Sequence, residues 1–198
     1  MIKIRGGKYL HRLLKQPPLE ITRSTKDVCK EGMFNSLGNI TNYSFLDLFG
    51  GSGSIGIEAY SRGANPVYIN DKNREAYKVI LDNLKSLGIS DIKTFNLDYK
   101  VFLKTLQDKD IRFDIIFLDP PYKMIIDDEF IDEILSYNIL QKNGIIIAET
   151  DYDISPILVE KYQVKILKYG RSKINILRTK LWKLQYTQGV LTLLQMVI

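Results

Sequence analysis

The sequence predicts an α/β protein of the Rossmann-like type, with a mainly parallel sheet that helices cover on both faces. Strand and helix patterns alternate from Phe45 onward, and the predicted strands are apolar at their centres. Such strands are typical of a parallel sheet that is buried on both sides. The last two predicted strands are joined only by residues 170–172, a link that is too short for a parallel crossover. We therefore expect seven strands, five of them parallel, with an antiparallel pair at the end.

The first forty residues are expected to form a small β-hairpin and a helix ahead of this sheet. Residues 2–5 and 9–14 are short strand candidates on either side of the Gly6-Gly7 pair. Residues 25–37 place apolar side chains at helical spacing, and a glycine follows directly.

In the alternating region, each predicted strand is followed by a helix pattern. Five strands occupy the segments SFLDL, VYIN, IKTF, FDIIFL and GIIIAE, and their helices are expected at 54–62, 72–87, 99–107, 128–137 and 154–161. The segments QVKILKY and KINIL form the closing pair. Residues 41–178 thus make up the core, residues 179–198 form a tail to which we assign no role, and the whole chain is expected to be one compact domain.

Composition excludes several classes of protein. Cys29 is the single cysteine and His11 the single histidine, which excludes an internal disulfide and a Cys/His metal site, so no metal is expected. No apolar run approaches the roughly 20 residues of a membrane span, and the first residues lack the apolar stretch of a secretory signal. We expect a cytoplasmic protein that does not associate with membranes.

Charge is unevenly distributed along the chain. The net charge is +5 over 198 residues. Residues 1–30 carry eight basic and two acidic side chains, residues 161–198 carry eight basic and no acidic ones, and the middle of the chain is acidic. If the two basic ends meet in space, they form a face that suits a polyanion such as nucleic acid. The alternative is an ordinary solvated surface.

A glycine-rich loop follows the first predicted strand. Gly51, Gly53 and Gly56 match the G-x-G-x-x-G pattern between a strand and a helix, which first suggests a dinucleotide site. A tight turn alone does not explain four glycines within seven residues, because these also let a ligand approach the backbone. The loop residues expected to contact such a ligand are Phe49, Gly50, Gly51, Ser52 and Gly53.

Acidic residues stand at the ends of three predicted strands, where ligands bind in open α/β sheets. Asp71, followed by Lys72, is placed to accept both ribose hydroxyls of an adenosine, and Asp98 to meet the adenine amine. Alternatively, each carboxylate would cap the helix that follows it. Asp47, just before the glycines, suits a cationic amine and not a pyrophosphate, which favours S-adenosylmethionine over NAD as the cofactor.

The fourth strand of the alternating region ends in Asp119-Pro120-Pro121-Tyr122. Consecutive prolines fix the backbone and remove two N–H donors, which leaves the Asp119 carboxylate and the Pro120 carbonyl as acceptors. Hydrogen bonds from an exocyclic amine to two acceptors favour its pyramidal, nucleophilic form, and Tyr122 can stack on the base. The four residues are therefore the predicted catalytic loop of an amine methyltransferase. A proline turn with a capping Asp is the structural alternative.

The chain resembles the RsmD-type bacterial methyltransferases over about residues 2–178. The resemblance rests on I-R-G-G-K-Y at 4–9, T-R-S-T-K-D at 22–27, K-E-G-M-F-N at 30–35, the glycine loop at 47–56, D-P-P-Y at 119–122 and Y-G at 169–170. It implies a class I methyltransferase fold with a seven-stranded sheet and methylation of a guanine N2 amine in small-subunit ribosomal RNA. It further implies that the cofactor site includes Asp47, Gly50, Gly51, Gly53 and Asp71.

We therefore predict an S-adenosylmethionine-dependent RNA guanine-N2-methyltransferase that acts as a monomer on small-subunit ribosomal RNA, free or within an assembling 30S particle. The RNA backbone would be held by Lys3, Arg5, Lys8, Arg12, Arg23 and Lys26. Three alternatives stay open at this point: a DNA adenine-N6 methyltransferase, an NAD-binding oxidoreductase and a catalytically idle RNA-binding protein.

Overall fold

The structure is a computed structural model, and it describes residues 1–18, 27–121 and 124–179. Arg23, Lys26 and Tyr122 of the predicted site lie outside these residues, as does the chain from 180 to 198.

The described residues form nine strands and six helices. None of these helices is long and apolar enough to cross a membrane. In chain order the elements are β1 Ile2–Lys3, β2 Leu13–Leu14, α1 Asp27–Leu37, β3 Phe45–Asp47, α2 Ser54–Ser61, β4 Val67–Asn70, α3 Arg74–Leu87, β5 Lys93–Phe95, α4 Tyr99–Asp108, β6 Phe113–Leu118, α5 Asp128–Ser136, β7 Leu140–Thr150, α6 Pro156–Lys161, β8 Tyr162–Tyr169 and β9 Ser172–Thr179.

Seven strands form one sheet in the order β5-β4-β3-β6-β7-β9-β8. Only β9 runs against its neighbours, since β7 and β8 both pair with it antiparallel while the other pairs are parallel. The predicted fold class is confirmed. The strand order changes direction between β3 and β6, and the carboxyl ends of these two strands face the crevice in which open α/β sheets bind ligands.

Two apolar clusters fill the space on the two faces of the sheet. The first contains buried side chains of α1, α2 and α3, and the second contains those of α4, α5 and α6. Ile2, Ile4 and Leu14 of the N-terminal hairpin belong to the first cluster, so the hairpin packs into the same core as the sheet.

Several predicted boundaries were wrong, for local reasons. The hairpin strands are shorter than expected, because the chain from Gly6 to His11 bends and turns. Helix α3 begins at Arg74 and not at residue 72, because the Asn73 side chain accepts hydrogen bonds from the backbone N–H groups of residues 75 and 76 and caps the helix. Strand β7 is longer than predicted and pairs with β6 across an irregularity.

A buried ion-pair network fastens the N-terminal segment to α2. The Lys30 ammonium and the Glu58 carboxylate are fully buried and lie 2.9 Å apart. Lys30 also donates to the Lys3 carbonyl oxygen at 2.8 Å, and Arg62 pairs with Glu58 at 2.9 Å. Buried charges persist only when they are paired in this way, so Glu58 sets the position of the strand that carries Lys3.

Candidate active site

A cavity of about 310 Å³ opens at the carboxyl ends of β3, β4, β6 and β7. It brings the glycine loop, the end of β4 and the loop after β6 together in one space. The predicted residues that line it are Asp47, Phe49, Gly50, Gly51, Ser52, Asp71, Lys72, Asp119, Pro120 and Pro121. Tyr122 lies outside the described residues.

The glycine loop is held to the end of β4 by Asp71. The backbone N–H of Gly51 donates to Asp71 Oδ2 at 2.8 Å, and that of Asn73 donates to Oδ1 at 2.7 Å. Gly51 has φ of 55°, in the left-handed region that glycine enters without strain. Each carboxylate oxygen keeps a further lone pair, so Asp71 can still accept hydrogen bonds from a ligand.

Burial dominates the electrostatics of Asp71, and its pKa is raised above the usual value of a carboxyl. The two backbone hydrogen bonds and the nearby Lys72 ammonium act in the opposite direction. The alternative that Asp71 caps the next helix is wrong, because Asn73 occupies the cap position of α3. Its carboxylate joins two loops at the edge of the cavity instead.

Asp47 is the most deeply buried carboxylate of the cavity, with only 1% of its surface exposed. Its Oδ2 accepts a hydrogen bond from the Gly56 backbone N–H at 3.0 Å, whereas its buried Oδ1 has no hydrogen-bond partner among the described residues. Burial raises the pKa of Asp47 to about 7, and the negative charge of Asp71 acts in the same direction. A buried acceptor without a partner is costly to the fold, and a cationic group in the cavity would satisfy it.

Two of the predicted cofactor residues do not line the cavity. Gly53 is the residue before α2, where it has φ of 76° and closes the loop by donating to the Gly50 carbonyl oxygen at 2.7 Å. Asp98 caps α4, because its Oδ1 accepts the Lys100 N–H at 3.0 Å. The capping alternative for Asp98 is therefore confirmed, and its adenine contact stays a prediction.

The cavity also contains residues that the sequence analysis missed. Asn70 has its side chain fixed between two loops, since it donates to the carbonyl oxygens of Leu48 and Leu97. The ring of Tyr99, which was also missed, lies 5.7 Å from the ring of the predicted Phe49, and the two rings form an aromatic wall. Further lining residues come from the N-terminal segment and from the end of β7: Gln16, Pro17, Glu149, Thr150, Asp151 and Tyr152. No motif marks these positions, because their chain segments are distant in sequence.

Asp119 and Glu149 end adjacent strands on the same side of the cavity. Leu118 of β6 is in register with Ala148 of β7, so the next residue along each parallel strand is one of these two acids. Both acids line the cavity. Asp119 and Glu149 therefore form an acidic wall of the cavity that is rich in hydrogen-bond acceptors.

The predicted RNA-binding residues that the structure describes differ in exposure and in whether their charge is paired. Arg5 pairs with Asp27 at 2.8 Å, with about a third of its side chain exposed, so its charge is largely compensated. Lys8 is exposed above the Tyr9 ring, and Arg12 is exposed with one hydrogen bond to the Ser86 carbonyl oxygen. Arg23 and Lys26 lie outside the described residues.

Gly7 allows the hairpin turn that carries the exposed Lys8 to pack closely against Ser61 at the end of α2. Its φ is 75°, and an added Cβ would lie 1.8 Å from the backbone carbonyl oxygen of Ser61, so only glycine allows this approach. The N–H groups of Lys8 and Tyr9 donate to the carbonyl and hydroxyl oxygens of Ser61 at 2.7 and 2.9 Å. The turn is thereby fixed on the end of α2.

Among the described residues, the two basic segments meet where α1, which includes Lys30, packs against β8. Gly32 of α1 lies so close to Tyr169 of β8 that an added Cβ would overlap the Tyr169 hydroxyl. Exposed Lys165, Lys168 and Arg171 belong to β8 and its turn. The charge pattern in the sequence thus corresponds to basic segments that are joined in the fold.

Comparison with known proteins gives a consistent result. The family model described as "Conserved hypothetical protein 95" matches residues 2–178. The ribosomal RNA small subunit methyltransferase D of Haemophilus influenzae is 34% identical over 155 residues, which is 77% of this chain and 80% of that protein. The crystal structure of a putative methylase from the same organism is 29% identical, with a TM-score of 0.71 over 90% of this chain and 98% of that one.

A third similarity concerns the fold alone. A 16S rRNA N2 methyltransferase from Thermus thermophilus, solved with S-adenosylmethionine and guanosine, is 20% identical with a TM-score of 0.61. The similarity covers 76% of this chain and 41% of that one.

Proposed function

The chain belongs to the Conserved hypothetical protein 95 family, and we propose that it is an S-adenosylmethionine-dependent methyltransferase of the guanine N2 amine in small-subunit ribosomal RNA. One observation carries this proposal: Asp47, Asp71 and the Asp119-Pro120-Pro121 loop line a single cavity. Membership in a family with members named ribosomal RNA small subunit methyltransferase D supports the RNA substrate.

The residues of the cavity fit S-adenosylmethionine. Asp71 has acceptor capacity left for ribose hydroxyls, and the aromatic wall of Phe49 and Tyr99 offers an apolar surface to the adenine. The buried Oδ1 of Asp47 would accept from the ammonium of the methionine part. An NAD pyrophosphate would instead meet the negative charge of this carboxylate. When bound, the cofactor supplies an electrophilic methyl group on a sulfonium.

The loop after β6 positions the amine. The Asp119 carboxylate and the Pro120 carbonyl accept hydrogen bonds from the two N–H groups of the amine. These hydrogen bonds direct the nitrogen lone pair toward the cofactor side of the cavity. Positioning of this kind can supply up to about 7–11 kcal/mol of the barrier. Asp119 then receives the proton that the amine loses, directly or through a water molecule. To reach this loop, the base must leave its stack, which costs a few kcal/mol.

The acidic wall favours guanine over adenine. The Watson–Crick edge of guanine presents two neighbouring donors, N1–H and the N2 amine, whereas adenine places an acceptor beside its amine. Asp119 and Glu149, on adjacent strand ends, offer acceptors for both guanine donors. A site built for hydrogen-bond donors discriminates strongly against a base that presents an acceptor, because buried polar groups would be left unpaired.

We propose that the basic face formed by the N-terminal hairpin and the β8–β9 turn contacts the RNA backbone. Lys3, Lys8 and Arg12 are its N-terminal members among the described residues, and Arg23 and Lys26 are proposed as further members. Arg5 serves mainly to hold Asp27. The enzyme would act as a monomer in the cytoplasm, on ribosomal RNA that is free or within an assembling 30S particle.

The test is nucleoside analysis by mass spectrometry after small-subunit RNA, naked or in particles, is incubated with the enzyme and labelled S-adenosylmethionine. We expect N2-methylguanosine as the product, formed at least about a hundredfold more slowly with Asp119→Ala. N6-methyladenosine as the sole product would replace the guanine assignment by the adenine one. Calorimetric binding of NAD, without binding of S-adenosylhomocysteine, would overturn the methyltransferase assignment itself.

A further inference from the structure

Asn83, in the middle of α3, joins two segments that are distant in sequence. Its side chain is 1% exposed. Its Oδ1 accepts from the Lys15 backbone N–H at 2.8 Å, and its Nδ2 donates to the Lys15 carbonyl oxygen at 3.0 Å. Nδ2 also donates to the Ser52 carbonyl oxygen at 2.9 Å. One amide thus satisfies both backbone groups of Lys15 and one of the glycine loop.

Both segments continue directly into the cavity. Ser52 lines it from the glycine loop, and Gln16 and Pro17, which follow Lys15, line it from the N-terminal segment. The other described polar contacts between this segment and α3 are exposed: Lys15 pairs with Asp82 at 2.8 Å, and Arg12 donates to the Ser86 carbonyl oxygen at 3.3 Å. Buried Leu14 also belongs to the apolar cluster that contains Ile80 and Leu84 of α3. An exposed ion pair holds a segment weakly and apolar packing is not directional, so the buried Asn83 amide is the polar contact that sets the distance between these two parts of the cavity wall.

We infer that Asn83 is a positioning residue for the cofactor, and that Gln16 and Pro17 form a wall of the cofactor pocket. The inference rests on the proposed cofactor. Asn83 itself does not line the cavity, so it acts through Ser52 and Lys15. The N-terminal segment then has a part in cofactor binding in addition to the RNA contact that the sequence predicted for it.

The chemistry explains why an amide is needed at this position. A carboxylate can accept from the Lys15 N–H but cannot donate to the carbonyl oxygens of Lys15 and Ser52, and a methyl group can do neither. Each backbone group that loses its partner in a buried place is destabilised. With Asp or Ala in place of Asn83, the glycine loop and the segment at Lys15 would therefore no longer be held at a fixed separation.

The experiment compares Asn83→Ala and the isosteric Asn83→Asp with the neighbouring surface variant Asp82→Asn. We expect both Asn83 variants to bind S-adenosylhomocysteine about tenfold or more weakly in calorimetry, and their KM for S-adenosylmethionine to rise similarly. Turnover at saturating cofactor should stay within about threefold of wild type, because the catalytic loop is untouched. Asp82→Asn should leave the affinity for S-adenosylhomocysteine, the KM for S-adenosylmethionine and the turnover unchanged.

A measurement on the wild-type protein covers the case in which the variants fail to fold. Binding of S-adenosylhomocysteine should slow hydrogen exchange of the backbone amides at residues 15–16 as well as in the glycine loop. Unchanged exchange at residues 15–16, or wild-type cofactor affinity in folded Asn83 variants, would overturn the inference. A wild-type protein that does not bind S-adenosylhomocysteine at all would overturn the proposed function instead.

Discussion

Cofactor affinity should depend on pH through Asp47. This carboxyl is buried, has one hydrogen bond from the Gly56 N–H and has an unpartnered Oδ1 among the described residues. Its pKa is raised to about 7. The cationic ammonium of the cofactor attracts the ionised form and not the neutral one. We therefore expect affinity to be constant well above pH 7 and to fall toward about tenfold per pH unit below it.

The same pKa has an opposite consequence for the protein without cofactor. The carboxyl has an ordinary value of 3.8 and about 7 in the fold, so the folded state binds the proton more tightly. The free energy of unfolding therefore decreases as pH rises from about 4 to about 7. A shift of about three units corresponds to about 4 kcal/mol as an upper figure. Asp47→Asn removes this cost, so the variant should be more stable than wild type at pH 8.

The assay is calorimetric titration with S-adenosylhomocysteine between about pH 6 and pH 8.5, together with thermal unfolding of the unliganded proteins. Asp47→Asn should bind more weakly at pH 8, show a flat pH profile and have a higher Tm. If Asp47→Asn kept the pH slope of the wild type, or if the wild-type profile were itself flat, Asp47 would not be the group that meets the cofactor cation.

Three further variants test the cavity and the RNA-binding face. Asp71→Ala should weaken S-adenosylhomocysteine binding by roughly 1–3 kcal/mol, because it removes the acceptor for the ribose and frees the Gly51 N–H; unchanged affinity in calorimetry would remove Asp71 from the site. Asp119→Ala should leave that affinity nearly intact and reduce single-turnover methyl transfer by about a hundredfold or more; near-normal rates would contradict the assignment of the catalytic loop. Replacing the exposed Lys8 and Arg12 by Glu should weaken RNA binding without affecting cofactor binding, and the slope of log K against log salt concentration should become shallower by about one per lost phosphate contact. An unchanged slope in anisotropy titrations would place the RNA elsewhere.

Much of the fold was predictable because its determinants are local. The strands VYIN and FDIIFL are apolar on both sides and sit between turn residues, and the structure has them at the predicted positions. The glycine loop and the Asp119-Pro120-Pro121 segment each occupy a few consecutive residues, so their spacing alone indicated strand ends at one edge of the sheet. Composition and motif spacing do not depend on how distant segments meet.

What only the tertiary structure decided is which partner each polar side chain takes. Asp98 was predicted to contact the adenine, with the cap of its own helix as the alternative, and the fold gives it the cap. Arg5 was expected to face RNA, but Asp27, 22 residues away, lies 2.8 Å from it. Asn83 shows no motif at all, and its role exists only because Lys15, 68 residues earlier, and Ser52, 31 residues earlier, converge on it. Local sequence sets which backbone conformations are favourable, whereas hydrogen bonds between distant segments form only once the packed core has brought those segments together.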